Sequence, residues 1–402
     1  MRSTRAGRVV LPLTLAGALL LTACSNSDSG DAAGASSSGG GLGAGGGETY
    51  KIAFQGPLSG DNQQLGINEV NAVEVAIEEA NASGDLGFTL ELFKADDQGD
   101  PAVAPTAAAQ VLQDEAILGV VGPSFSGATK AVATTYGEAD MVMISPSATN
   151  DTLTSEGYPT FHRVVPPDGL EGKELANFLV KKAYPSVVVI DDLSDYGKGV
   201  SDTVQSTLEA AGVTVTRLGV DAKTTDYGAT ATQATSSGAA AVFYGGYDAQ
   251  AGQLARALQT AGFAGDKYTG NGGKSTVFTD GAGDAGDGWY FSCGCSDAVT
   301  APEAKAFTEA YTAKFNTEPS TYSPEAYDAA NAMIEAIKAA AADGAPTRET
   351  VAAAVKELDY TGITTTIKFA ENGELDESSQ VINLFQQEDG VIKILGDIKE
   401  QS

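Results

Sequence analysis

The sequence predicts an α/β chain built as two successive units, each carrying a parallel-rich sheet. Three observations lead there. Short continuous apolar runs such as Ile117-Leu-Gly-Val-Val121, Ser186-Val-Val-Val-Ile-Asp191 and Ala239-Ala-Ala-Val-Phe-Tyr244 have the look of strands buried on both faces. They alternate with segments of helical period: Ile67, Val70, Val73, Ala76, Ile77 and Ala80 share one face, and Glu69, Glu74, Glu78 and Glu79 lie off it. The alternation halts at Pro166-Pro167 and restarts at Ser186, so the strand–helix order is written twice.

Ahead of this body lies a targeting segment. Arg2, Arg5 and Arg8 form a positive region, and Val9 to Leu20 is apolar but too short to span a bilayer comfortably. Leu21-Thr22-Ala23-Cys24 resembles the lipobox of bacterial lipoproteins, which implies cleavage before Cys24 and lipid on that residue. The alternative is a plain secretory signal cleaved near Ala23. Residues 1–23 are thus a signal peptide. Residues 24–48, rich in Gly and Ser, read as a lipid-anchored tether whose coil span is roughly 25–30 Å.

Within the first unit, strands are expected at Lys51–Gly56, Phe88–Phe93, Ile117–Val121, Met141–Ile144 and Phe161–Val165, with a helix from Ala104 to Leu112 that tolerates Pro105 in its first turn. Asp168-Gly-Leu-Glu171 has capping-box spacing and opens the next helix. The second unit continues with strands at Ser186–Asp191, Val213–Leu218, Ala239–Tyr244 and Lys267–Thr269, and helices at Val204–Ala211 and around Leu254, Leu258 and Ala261. Thr300-Ala-Pro-Glu303 is a second capping box, leading a helix whose Phe307, Tyr311 and Phe315 form a core stripe. Ser323-Pro324 caps a further helix, another follows Thr347, and Ile363–Phe369, Val381–Gln386 and Val391–Leu395 close the fold, with a hairpin turn at Glu388-Asp-Gly390.

Composition excludes several functions. The formal net charge is −29, from 24 Lys and Arg against 53 Asp and Glu, so nucleic acid is not a partner. His162 is the only histidine and falls inside a strand, and no cysteine spacing suits a metal; no cofactor, metal site or catalytic nucleophile–base pair is expected, and the chain is not read as an enzyme. Gly272-Gly-Lys274-Ser275 fails the phosphate-loop pattern because its first glycine would fall at Tyr268, and Gly122-Pro-Ser124-Phe-Ser126 misses the nucleophile-elbow pattern. Cys293-Gly-Cys295 reads as a small disulfide ring, with a free vicinal pair as the alternative.

The positive signal is positional. Parallel sheets bind ligands beyond the carboxyl ends of their strands. Those ends carry Gly56–Ser59, Ser126, Ser147–Thr149, Asp191–Tyr196, Tyr247 and Asn271: hydroxyls, rings and an amide, with few charges. Ser126 precedes a helix opening, so hydroxyls and free N–H groups there suit a carboxylate.

Phe54-Gln-Gly-Pro-Leu-Ser-Gly60, Asp96-Asp97 with Asp100-Pro101, Ile144-Ser-Pro-Ser-Ala-Thr149, Asp195-Tyr196-Gly197 and Tyr244-Gly-Gly-Tyr247 occur in this order. The set resembles the leucine/isoleucine/valine-binding proteins of bacterial ABC importers, from about Tyr50 to the end. That resemblance implies the type I periplasmic-binding fold: two Rossmann-like lobes with parallel-rich sheets, three hinge crossovers and closure on the ligand. The lobes would comprise residues 49–165 plus 298–378 and residues 166–297 plus 379–402. It further implies a binding protein lipid-anchored on the outer face of the cell membrane, a monomer that delivers its ligand to an ABC permease complex. A ligand-sensing lipoprotein reporting to a signalling partner is the alternative.

By position, Ser126 and Thr149 would grip the ligand carboxylate, and Ser147, next to Ala148, would offer its carbonyl to the ammonium. Tyr196 and Tyr247 would cover the ligand, Tyr322 would line the side-chain pocket, and Leu65 stands where the family has a tyrosine. Asn271 stands where the family carries an acidic partner for the ammonium. Unless Asp191, Asp192 or Asp248 compensates, the ammonium anchor is weakened. A branched-chain amino acid, an amide and a carboxylate without an amine all stay open as ligands.

Overall fold

The computed structural model describes residues 47–402. The signal segment, Cys24 and nearly all of the tether lie outside the described residues. β1 (Thr49–Gly56), β2 (Thr89–Asp96), β3 (Ile117–Val121), β4 (Val142–Ser145) and β5 (Phe161–Arg163) form one parallel sheet in the order β2-β1-β3-β4-β5. The connections carry α1 (Gln63–Ser83), α2 (Ala104–Gln113), α3 (Ser126–Glu138) and the short α4 (Thr152–Ser155).

After Pro166-Pro167 the chain builds a second sheet. α5 (Asp168–Lys181), β6 (Ser186–Asp191), α6 (Asp195–Ala210), β7 (Thr214–Gly219), α7 (Gly228–Ser236), β8 (Ala241–Gly245), α8 (Asp248–Thr260), β9 (Asp266–Thr269), α9 (Thr276–Ala282) and β10 (Trp289–Cys293) follow in turn. The chain then returns to the first sheet with α10 (Lys305–Phe315), α11 (Ser323–Ala342) and α12 (Arg348–Lys356). It adds a two-stranded ribbon, β11 (Tyr360–Thr361) with β12 (Thr366–Ile367). It ends in the second sheet with β13 (Asn383–Glu388) and β14 (Val391–Asp397), giving the order β14-β13-β10-β9-β8-β6-β7. Only the β13 and β14 pairings in that sheet are antiparallel. The chain therefore passes between the sheets three times, at residues 164–167, 294–304 and 368–382.

Alternation along the strands builds the layers. Ile52 and Phe54 of β1 pack with α1, α10, α11 and α12, while Ala53 faces α2 and α3. In the second sheet Val187 and Val189 pack against α5 and α6, and Val188 and Ile190 face α7, α8 and α9. Each of these fully buried Val, Ile and Phe side chains contributes about 1.5–3 kcal/mol relative to exposure. Gly119 lets α11 lie directly on β3, since a Cβ there would stand 2.3 Å from the Met333 sulfur. The expected aromatic stripe of α10 is core: Phe307 and Tyr311 are buried, with ring centroids 5.7 Å apart.

Three sequence-based caps are overturned. α5 has Pro167 as its N-cap, and Asp168 lies one step inside with its N–H bonded to Thr149 O at 2.8 Å. The extended backbone imposed by Pro166-Pro167 shifts the helix start, so Glu171 is released from the capping box. Thr300 does not cap α10; its hydroxyl donates to Asp297, and a 3-10 turn at Pro302–Ala304 intervenes. Tyr322, not Ser323, precedes α11, and Ser323 donates instead to Asn68 O at 3.2 Å. The sequence also hid β10, α7 and α9: β10 follows a glycine-rich stretch, and α7 (GATATQATS) lacks a strong apolar face. Cys293 and Cys295 are disulfide-bonded, with Cα atoms 5.0 Å apart, at the second crossing. His162 is buried in β5, and burial holds its pKa down at about 4.

Candidate functional site

The carboxyl ends of β3 and β4 are stitched into one wall. Ser145 Oγ donates to Pro123 O at 2.7 Å and accepts from Ala148 N at 3.0 Å; Ser147 Oγ donates to Ser124 O at 2.7 Å. Ser126 is the first residue of α3, whose leading N–H groups have no partner within the helix. Its Oγ accepts from Asn150 N at 3.2 Å. Thr149 is buried, and its Oγ1 has no hydrogen-bond partner. From β5, the fully buried Arg163 clamps the carbonyls of Ala148 and Asn150 at 3.2 and 2.9 Å and pairs with Glu374. Ser126, Ser147, Ala148 and Thr149 thus lie on one rigid surface, rich in hydroxyls and helix N–H groups, suited to an anion.

The facing wall comes from the second sheet. Tyr196, in the first turn of α6, accepts at its hydroxyl from Gly272 N at 3.0 Å. Tyr247 precedes α8 and tilts against Tyr196, ring centroids 5.3 Å apart. The two walls touch. Phe125 stacks on Tyr247 at 4.2 Å, Asn150 Nδ2 donates to Asp195 O at 2.7 Å, and Lys274 Nζ donates to Thr321 Oγ1 at 3.1 Å. The lobes are therefore closed on each other.

Leu65 on α1 is fully buried and shares one apolar cluster with Phe125, Ala148 and Tyr322. Tyr322 is left-handed, with φ of 68°, a conformation costing on the order of 1–3 kcal/mol in a bulky residue. Its buried hydroxyl has no partner.

All three acids that could substitute for a charge at 271 have other partners. Asp191 pairs with Arg217 at 2.6 Å, and Asp248 accepts from Ser275 Oγ and Ala249 N. Asp192 accepts from the backbone and hydroxyl of Ser194. Glu171 on α5 is what meets Asn271: it accepts from Asn271 N at 3.0 Å, from Asn271 Nδ2, and from Ser292 Oγ at 2.8 Å. Gly270 makes this approach possible, because a Cβ there would stand 2.7 Å from the Tyr196 hydroxyl and 2.9 Å from Glu171 Oε1. Burial pushes Glu171 up to about 7, with the three donors pulling the other way.

Sequence reasoning missed four buried acids. Asp168 is fully buried, its carboxyl without a close hydrogen-bond partner; burial and the neighbouring Glu171 charge raise its pKa well above the ordinary value, while the Thr149 hydroxyl and Arg163 pull the other way. Glu69 donates no charge to a cation; it accepts from Ser124 and is pushed by burial to about 8. Glu325 accepts from Ser296 N and is raised by burial to about 7. The fields of Glu171, Glu69, Glu325 and Asp168 all reach Tyr322, after burial itself, in raising its pKa. A readable signal existed: Asp168 and Glu171 sit three apart, one face of a helix, directly after a double proline. Among the described residues, no cluster of His, Cys, Asp and Glu is arranged to hold a metal ion, and no helix is long and apolar enough to cross a membrane.

Residues 49–389 match the family model described as periplasmic binding protein, and the chain belongs to that family. A Leu/Ile/Val-binding protein homolog of Brucella melitensis is 31% identical over 351 residues, covering 86% of this chain and 92% of its own. The leucine-, isoleucine-, valine-, threonine- and alanine-binding protein of Pseudomonas aeruginosa is 31% identical over 336 residues, 82% of this chain and 87% of its own. Among solved structures, a leucine-binding protein of Thermotoga maritima superimposes with a TM-score of 0.79 at 26% identity, covering 86% and 97% of the two chains. A branched-chain amino acid transporter substrate-binding protein of Streptococcus pneumoniae, in complex with isoleucine, gives 0.78 at 26% identity over 87% and 100%. The two-lobed type I periplasmic-binding fold expected from the sequence is the fold observed.

Proposed function

We propose that this chain is the extracytoplasmic solute-binding component of an ABC importer and that it closes on a branched-chain or similar small α-amino acid. One observation carries the reading. Beside the N-terminus of α3, Ser126 and the unpartnered Thr149 hydroxyl form an anion-binding corner enclosed between the two lobes. Ser126 and Thr149 hold the carboxylate, and Ser147 turns its carbonyl to the ammonium. Tyr196 and Tyr247 cover the ligand; Leu65 and Tyr322 shape the side-chain pocket. The names of the relatives support this ligand class.

Residues 49–165 plus 298–378 move as one lobe against 166–297 plus 379–402, and the closed monomer is the form offered to the permease. Cys24 carries the lipid, and residues 24–48 tether the body to the outer face of the cell membrane. Mass analysis of the N-terminal peptide from membrane-extracted protein tests the anchor, since Cys24→Ala would release the protein in soluble form. Thermal-shift screening of the soluble body against amino acids, amides and carboxylates tests the function by mass action. Stabilisation by branched-chain amino acids supports the reading; no response to any amino acid overturns it.

A further inference from the structure

A buried carboxyl group stands beside position 271, where residue 271 itself is an amide. Asn271 gives its backbone N–H and its Nδ2 to Glu171, so its one remaining side-chain polar atom, Oδ1, is an acceptor. Glu171 is in turn fixed by Ser292 and bordered by Gly270, whose missing side chain brings the Tyr196 hydroxyl and Glu171 Oε1 to the same spot. One helical turn earlier, the Asp168 carboxyl is buried with no close hydrogen-bond partner and only the Thr149 hydroxyl and the field of Arg163 to favour its charge. Rings of both lobes lie within reach of these acids: after burial, Glu171 acts most on Tyr196 and Tyr322, and Asp168 also acts on Tyr196, Tyr247 and Tyr322. None of the Lys, Arg or His groups among the described residues forms an ion pair with Glu171 or Asp168.

We infer that Glu171 on α5, backed by Asp168, supplies the counter-charge for a ligand ammonium, and that Asn271 relays it as a neutral acceptor held in place by Glu171. A buried carboxylate pair without an ion-paired cation is unfavourable, and a cation entering the closed cleft is the chemistry that satisfies it. The ligand class this selects carries both a carboxylate and an amine, which separates amino acids from simple carboxylates and from neutral amides. This deepens the amino-acid reading above and rests on it.

Calorimetric titration with L-leucine and with its des-amino analogue isocaproate tests the inference in the wild type and three variants: Glu171→Gln, Asn271→Glu, and the two combined. Glu171→Gln keeps the side chain's size and removes its charge, so L-leucine should weaken at least about 30-fold while isocaproate changes little. The combined variant returns one charge to the site from the opposite partner, and L-leucine affinity should recover most of that loss. Thermal melts establish that each variant is folded. Wild-type affinity for L-leucine in Glu171→Gln, or an equal loss for both ligands, would overturn the inference while leaving the solute-binding reading intact. Preference of the wild type for isocaproate over L-leucine also overturns it. Binding of neither compound to the wild type overturns the amino-acid reading and this inference together.

Discussion

Phe125 lies nearly parallel to Tyr247, centroids 4.2 Å apart and planes inclined by 17°, although the two residues belong to different lobes. Stacked aromatic pairs add about 0.5–1.5 kcal/mol beyond the area they bury. The contact therefore stabilises the closed state specifically. Phe125→Ala should weaken ligand binding about three- to tenfold, chiefly through faster dissociation, which stopped-flow fluorescence can follow. An unchanged dissociation rate would show that closure does not depend on this pair.

The hydroxyl corner makes a sharper prediction. Ser126→Ala combined with Thr149→Ala removes two donors to a carboxylate, each charge-assisted bond being worth about 1.5–3 kcal/mol. Affinity for an amino acid should fall at least about 100-fold, while the melting temperature without ligand stays within a few degrees of wild type. Retained binding would relocate the carboxylate elsewhere.

Arg163 predicts a structural failure rather than a local one. Its guanidinium, fully buried, joins Glu374 to the carbonyls flanking Thr149. Arg163→Met strands a partly buried carboxylate and two carbonyls, at about 3–5 kcal/mol. Denaturant unfolding should show that loss, and the loosened Ala148–Asn150 loop should bind ligand less well than the stability change alone explains.

Stability without ligand should fall as pH rises through neutrality. Burial lifts Glu69 to about 8 and Glu171 and Glu325 to about 7, from an ordinary 4.5. Above pH 4.5 the unfolded chain releases these protons while the folded chain keeps them, so stability declines until each folded value is passed. His162, lowered to about 4, works the other way, but only between its folded value and 6.5. The melting temperature at about pH 6 should therefore exceed that at about pH 8.5, with Glu69→Gln flattening the difference. A flat or rising profile across that interval would contradict the assignment.

Much of the architecture could be read from apolar runs such as Ile117–Val121 and Val187–Ile190, because strands buried on both faces leave little room for polar residues. The hydroxyl corner was legible too, since strand ends and helix starts are local signals. Helix starts near prolines were not: backbone fixed by Pro166-Pro167 displaced the Asp168 box, and the left-handed Tyr322 displaced Ser323. The meeting of Glu171 with Asn271 lay beyond local pattern altogether, because the partners are separated by 100 residues and are joined only through the packing of α5 under the end of β9. A four-residue pattern that fits a cap and also fits a ligand wall cannot say which it is until the opposite strand is known.

The three passages between the sheets also dictate the order in which the molecule can be completed. Strands β1 to β5 are contiguous, but one face of their sheet waits for α10, α11 and α12, and the second sheet receives its last two strands from residues 383–397. One face of the first sheet and the β13–β14 edge of the second therefore stay incomplete until nearly all of the polypeptide has been made. Such a chain stays partly unfinished during synthesis, unlike a body whose two halves each close on a contiguous stretch of sequence.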